Sequence, residues 1–339
     1  MKKKSWSMFL FFVLILSVLI AFFFPEIKKE AGLLKEVQPG WLIAALGGQI
    51  LTYLLTGMEY KYLLSVFNTN ENPGIRDLSK AAVISLCFNQ TLPSAGISGN
   101  LFYFQFLQRF NISKGKIFSL VIEELLIYYA SMELFIIFLL CIFKLHAWSS
   151  IPVKTTLLSG FFVYPVLGVL ILLMNSTGTI SRLYKKAVHT KWLKKIFKLN
   201  TSEFHLNERI ELGEIIKQHK QVILKAYVIK LLVSMADIFT LYVIFLGIGF
   251  TISPFFILAA YVATNIISLL PFAPGALVLY ESSMTYFFVS MGIPVSPAII
   301  VTLVYRLLSF WLPMPIGTFM YRKWLHAGHS KQPDAFAEY

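Results

Sequence analysis

Among the ionisable side chains that stand inside otherwise apolar stretches are Glu59, Glu123, Glu124, Glu133, Asp237, Glu281 and Arg306. In hydrocarbon such groups are costly, so they pair with one another, face water-filled space or mark the path of an ion or polar substrate. Arg306, in Val304-Tyr305-Arg306-Leu307-Leu308, cannot be discharged and requires a partner or water. Two partners fit. The Glu281 carboxylate would make a structural clamp, whereas an anionic headgroup suits a planar bidentate donor. Both hold together if substrate competes for the pair. Adjacent carboxylates on a helix point about 100° apart, so Glu123 and Glu124 are not expected to act as one dyad. One should face a cavity or basic partner and the other lie near the interface. Glu133 and Asp237 read as satisfied helix–helix contacts or as proton-relay groups, and Lys225 and Lys230 as residues that snorkel from a helix end.

Signatures of enzymatic chemistry are missing. There is no Gly-x4-Gly-Lys-Ser/Thr phosphate loop, no His-Glu-x2-His and no Gly-x-Ser-x-Gly elbow. The six histidines lie in polar loops or the tail; His326 and His329 have a metal-compatible spacing, but a solvated tail is the expected reading. Cys87 and Cys141 both sit in apolar segments and read as small packing residues, neither a disulfide framework nor a metal site. No catalytic residue, metal or cofactor is expected.

What must position these groups is a set of membrane helices. The 339 residues are 57% hydrophobic and 14% charged, with a mean hydropathy of +0.70; soluble domains carry about 25% charged residues. Apolar segments fall at about 6–25, 41–66, 79–110, 117–143, 155–174, 221–249, 254–290 and 294–321. Six have lengths suited to one crossing. The other two are long and broken. Residues 79–110 contain Asn89 and then Pro93, Gly96 and Gly99; residues 254–290 contain Asn265 and then Pro271, Pro274 and Gly275, followed by Glu281. Proline removes an amide donor and glycine permits backbone conformations that helices do not use. Freed backbone groups are tolerated at membrane depth only inside protein or against a polar cavity. Each broken segment therefore reads as a re-entrant hairpin of two half-helices. Asn89 and Asn265 are placed to stabilise the opened backbone or to bond a polar headgroup.

The distribution of basic residues tests this. With two re-entrant hairpins, six crossings and a cytoplasmic N-terminus, the connecting segments place 20 Lys and Arg inside and 5 outside; eight crossings would place 9 inside and 16 outside. The first arrangement obeys the positive-inside rule. It makes the flanking helices of the two hairpins run in opposite directions, an inverted repeat of about 41–143 against 221–321. Paired interrupted segments in corresponding positions of two halves point to a transport site near the midplane. Met1-Lys2-Lys3-Lys4 and the apolar run after it read as a retained anchor helix, because no small-residue cleavage site ends it. The stretch 175–220 interleaves basic and aromatic residues, as interfacial helices on anionic lipid do. A net charge of +13 thus reflects membrane topology, and no nucleic-acid partner is expected.

The sequence resembles the lysylphosphatidylglycerol synthase transmembrane-region, or flippase-like, family over about residues 8–323. The resemblance rests on Leu92-Pro93 with Gly96 and Gly99, on Glu123-Glu124-Leu125-Leu126, and on Leu270-Pro271-x2-Pro274-Gly275 with Glu281. Gly292-Ile293, Tyr305-Arg306-Leu307 and Pro315-Ile316-Gly317 complete it. Family members often carry Gly-Glu and then Arg where this chain has Gly99-Asn100, and a double glycine where it has Gly275-Ala276. The resemblance implies translocation of a lipid or glycolipid. In two-domain relatives a soluble domain aminoacylates phosphatidylglycerol, and no such domain is expected after the last span here.

The expected architecture is an all-α polytopic membrane protein of about six transmembrane helices and two re-entrant hairpins. Residues 1–323 form one membrane domain and 324–339 a polar cytoplasmic tail. The expected function is transport of an anionic phospholipid or polyprenyl-linked lipid. Arg306, Glu281, Glu123, Glu124, Asn89 and Asn265 would bind or gate the substrate. The alternative is a membrane subunit of a lipid aminoacyltransferase or glycosyltransferase system with catalysis on another chain. A soluble transferase partner and a homo-oligomer are both left open.

Overall fold

The computed structural model describes residues 35, 37–67, 73–91, 97–146, 150–176, 216–269 and 278–327. The expected anchor helix at 6–25, most of the basic connector, the polar tail and the hairpin-tip residues Pro93, Gly96, Pro271, Pro274 and Gly275 lie outside them. All regular structure among the described residues is helical: α1 (Pro39–Ser65), α2 (Ile75–Thr91), α3 (Ile97–Gln108), α4 (Lys114–His146), α5 (Ile151–Ser176), α6 (Lys220–Gly247), α7 (Pro254–Ser268), α8 (Leu279–Ser290), α9 (Val295–Arg306) and α10 (Pro313–Ala327). A single π turn, Leu307–Trp311, joins the last two.

Five helical stretches are long and apolar enough to cross a membrane: Pro39–Ser65, Lys114–Lys144, Ile151–Asn175, Lys220–Gly247 and Val295–Leu325. Their outer faces are as apolar as their inner ones, as lipid contact requires. On α6 the exposed residues Leu224, Val228, Leu232, Met235 and Phe239 recur every three or four positions and form a stripe along one side. α5 presents Phe162, Val166, Val169 and Leu173 in the same way. Cys141 is exposed on α4, so of the two cysteines only Cys87 packs inside.

Both long segments are split, as the proline and glycine positions require. The first gives α2 and α3, which pack against each other, and the second gives α7 and α8. At 1.5 Å per residue, the 17- and 12-residue halves of the first pair reach about 25 and 18 Å, less than the roughly 30 Å hydrocarbon core. α2 and α3 run antiparallel: Ser98 Oγ donates to Phe88 O at 3.0 Å and, further along α3, the Tyr103 hydroxyl donates to Leu78 O at 3.0 Å.

α1 and α6 make the most extensive helix pair, and they too are antiparallel. Gln38 N donates to Gly247 O at 3.0 Å, Gln49 Nε2 to Asp237 Oδ1 at 3.1 Å and Lys230 Nζ to Glu59 Oε2 at 3.2 Å, so numbers rise on one helix as they fall on the other. Small residues let the backbones approach, as is usual between membrane helices. A methyl group at Gly48 would meet Thr240 and Phe239, and one at Gly247 would meet Val37 and Trp41. An antiparallel pair needs an even number of crossings between its members, and among the described residues α4 and α5 are the two candidate spans between them. Eight alternating crossings would instead make α1 and α6 parallel.

The buried apolar residues form two cores. One gathers Leu63 of α1, Phe88 and Phe102 of the first broken pair, Ile117 of α4, Ala226 of α6 and Tyr321 of α10. The other gathers Ala45 of α1, Phe135 of α4, Leu241 of α6, Ala263 and Phe288 of the second broken pair, and Val304 of α9. α1, α4 and α6 each contribute one end to each core, whereas α5 contributes to the second alone. The polar residues fall between them.

Candidate functional site

Between the two cores lies a cavity of about 380 Å³, within the range of small-ligand pockets. One wall comes from α1, where Gln49, Thr52, Tyr53, Thr56 and Tyr60 follow one another at helical spacing. Asn89 and Gln90 enter from the end of α2, Asn100 and Tyr103 from α3, Glu124 from α4, and Asp237 from α6. Tyr261 and Asn265 enter from the end of α7, with Tyr280, Tyr305 and Arg306 opposite. Both broken pairs thus bring their opened ends to one polar space.

Arg306 closes α9 and is 6% exposed. Its Nε donates to Glu281 Oε1 at 2.5 Å, and its guanidinium lies 4.6 Å from the centre of the Tyr280 ring and 4.3 Å from that of Phe310. The expected pair is therefore formed, with π faces adding to the stabilisation of the cation. The π turn that follows has a local cause. Pro313 has no N–H to offer Ser309 O, the partner four residues back; Leu312 N instead donates to Leu307 O at 2.9 Å. Gln90 Nε2, from the first broken pair, donates to the released Ser309 carbonyl at 3.2 Å. That bond turns Gln90 Oε1 away, and this buried oxygen has no hydrogen-bond partner.

Asn89 supports the opened backbone. Its Oδ1 accepts from Gly99 N at 2.7 Å and from Ser98 Oγ at 3.3 Å, satisfying an otherwise unbonded amide in the first turn of α3. A methyl group on Gly99 would sit 2.5 Å from both Asn89 Nδ2 and Ser85 Oγ, so the glycine lets the cap approach. Asn265 is satisfied differently: its Nδ2 donates back to Tyr261 O at 2.9 Å.

The adjacent glutamates separate as their angular spacing requires. Glu124 lines the cavity and accepts from Lys230 Nζ at 2.5 Å. Glu123 does not lie near the interface as expected; it is 2% exposed, points away from the cavity and accepts from Ser119 Oγ at 2.9 Å. Lys230 does not snorkel either. It is buried and bridges Glu124 and Glu59, because α1 and α4 bring carboxylates to it at a depth where its stem cannot reach the surface. Asp237 is a satisfied contact: Gln49 Nε2 and Thr52 Oγ1 donate to Oδ1 at 3.1 and 3.2 Å, and the Tyr261 hydroxyl to Oδ2 at 3.1 Å. Glu133 is half-buried, with one oxygen unpartnered.

Sequence reading missed the tyrosine and amide lining, although a signal was present. Gln49, Thr52, Thr56 and Tyr60 are spaced by three and four residues, with Tyr53 beside Thr52, a polar stripe within an apolar helix. Among the described residues no group of three or more His, Cys, Asp or Glu is arranged to hold a metal ion.

Comparison with known proteins agrees with this architecture. The chain is 23% identical over 321 residues to the UPF0104 membrane protein MJ1595 of Methanocaldococcus jannaschii, covering 93% of this chain and 94% of that protein. It is 24% identical over 318 residues to the UPF0104 membrane protein PH1989 of Pyrococcus horikoshii, covering 88% and 92%. A UPF0104 membrane protein of Methanothermobacter thermautotrophicus is 28% identical over 140 residues, 41% of this chain and 39% of that protein. The family model described as lysylphosphatidylglycerol synthase TM region matches residues 8–317, and the chain, a multi-pass membrane protein, belongs to that family.

Proposed function

We propose that this protein binds the headgroup of an anionic phospholipid or a polyprenyl-linked lipid in the cavity between its two cores. It would pass that headgroup across the cytoplasmic membrane while the tails stay in the bilayer. In this reading the two broken pairs are re-entrant hairpins from opposite faces, and both termini are cytoplasmic. The observation that carries it is the convergence of both hairpin ends, through Asn89 and Asn265, on a cavity also lined by Arg306, whose carboxylate partner is Glu281. The Arg306 guanidinium lines this cavity, and its planar fork is matched to a phosphate. Glu281 keeps an unpartnered second oxygen, so the pair can re-form as the headgroup leaves. Asn100 lines the cavity where related sequences often carry a carboxylate, which leaves the wall less acidic.

The test is reconstitution into liposomes containing fluorescently labelled phosphatidylglycerol or a labelled polyprenyl phosphate, with label accessibility read from outside. Wild type should move at least one of them faster than empty liposomes, and a folded Arg306→Ala variant should not. Equal rates for wild type, variant and empty liposomes with both probes would remove this reading.

A further inference from the structure

The charges around the cavity do not balance. Among the described residues, Glu59, Glu124, Asp237 and Glu281 are set against Lys230 and Arg306. Glu281 is matched by Arg306 at 2.5 Å, and Asp237 is solvated by three neutral donors. Lys230 alone serves both Glu124 at 2.5 Å and Glu59 at 3.2 Å. Glu59 is completely buried, and its Oε1 has no hydrogen-bond partner. The groups packed around this triad are neutral or turned elsewhere. Tyr60 of α1 and Tyr103 of α3 stack with ring centres 4.1 Å apart, the Tyr128 ring of α4 lies 5.6 Å from the ammonium, and Glu123 is turned to Ser119. With both carboxylates ionised the triad carries one uncompensated negative charge, where desolvation penalises it heavily.

The missing charge is that of one proton. We propose that the Glu59–Lys230–Glu124 triad binds a proton taken from the cavity, and that this proton couples headgroup movement to a proton gradient. The coupling rests on the transporter reading; the proton site does not. Glu124 is the member of the triad that lines the cavity, so the proton arrives there. Lys230 gives a proton to Glu59 and is then reprotonated by Glu124, which regenerates the ammonium and leaves the added proton on Glu59. The triad goes from one negative charge to neutral. An alkali ion would need a shell of oxygens, and the ammonium already fills the space between the carboxylates.

Two measurements on the full-length protein test this. Infrared spectra of the purified protein should show the carbonyl stretch of a protonated carboxyl that is lost as pH rises. That band should be missing from Glu59→Gln. It should be missing equally from Glu124→Gln, because either change leaves Lys230 with a single matched carboxylate; the second variant serves if the first does not fold. In liposomes with labelled phosphatidylglycerol, an imposed proton gradient should speed movement by wild type and leave folded Glu59→Gln unresponsive. A band unchanged in both variants overturns the proton site, whatever the lipid does. A rate that follows a sodium gradient, or stays proton-responsive in Glu59→Gln, overturns the coupling. Wild type that moves no lipid but shows the band, lost in the variants, supports the proton site and overturns the transporter reading with its coupling.

Discussion

At the scale of residues, two buried cations hold the site together. Removing one partner of a buried ion pair leaves the other charge uncompensated, at a cost of about 3–5 kcal/mol. Lys230→Met strands Glu59 and Glu124 together and should lower the unfolding temperature in detergent markedly. The loss should shrink as pH falls, because protonating the carboxylates removes the stranded charge, and adding Glu59→Gln should restore part of it. A Lys230→Met protein as stable as wild type at neutral pH would contradict the bridging role. Arg306 is a different case, since Lys keeps the charge but loses the planar fork that reaches Glu281 and lies against Tyr280 and Phe310. Arg306→Lys should stay folded yet move labelled lipid roughly tenfold more slowly, which corresponds to about 1.4 kcal/mol in the transition state.

At the scale of elements, the helix ends and close crossings carry the architecture. Asn89 caps α3 through Gly99 N, and loss of such a cap typically costs about 1 kcal/mol. Asn89→Ala should speed hydrogen exchange in the first turn of α3, whereas Asn89→Asp keeps the accepting oxygen and should not. Gly57 is where α1 meets α2: an added methyl would lie 2.8 Å from Ser79 N and 3.0 Å from its Cα. Those are backbone atoms and cannot turn aside. Gly57→Ala should therefore destabilise by about 1–3 kcal/mol, while Gly47→Ala, with nothing within 4 Å, should be neutral or gain a few tenths from helix propensity. Thermal unfolding of the two variants side by side distinguishes a crossing contact from a generic glycine effect.

At the scale of the whole molecule, the antiparallel α1–α6 pair bears on topology. Single cysteines at Ser113 and Ser296, both exposed, introduced after Cys87→Ser and Cys141→Ser, should label from opposite faces of the membrane. Eight crossings would put them on the same face. The two apolar cores are each built around one broken pair and share the long helices α1, α4 and α6. In the polar layer between them the Ser309 carbonyl released by Pro313 and the Gly99 amide meet side-chain partners rather than lipid.

The amino-acid sequence by itself determined the class of the molecule, because hydropathy, chain breaks and charge asymmetry are local or additive properties that lipid reads directly. It located both breaks, singled out Asn89, Asn265, Glu124, Glu281 and Arg306, and offered Glu281 as one of two partners for Arg306 because that cation required an anion. It could not say which side Glu123 faces, that Lys230 is buried between two glutamates, or that Gln90 reaches the Ser309 carbonyl freed by Pro313. Those contacts join positions about 106 to 219 residues apart. They exist only because antiparallel packing of α1 on α6, and of α10 on α2, brings the positions to one depth. Burial of a charge is decided by what surrounds it in space, and only the tertiary structure sets that.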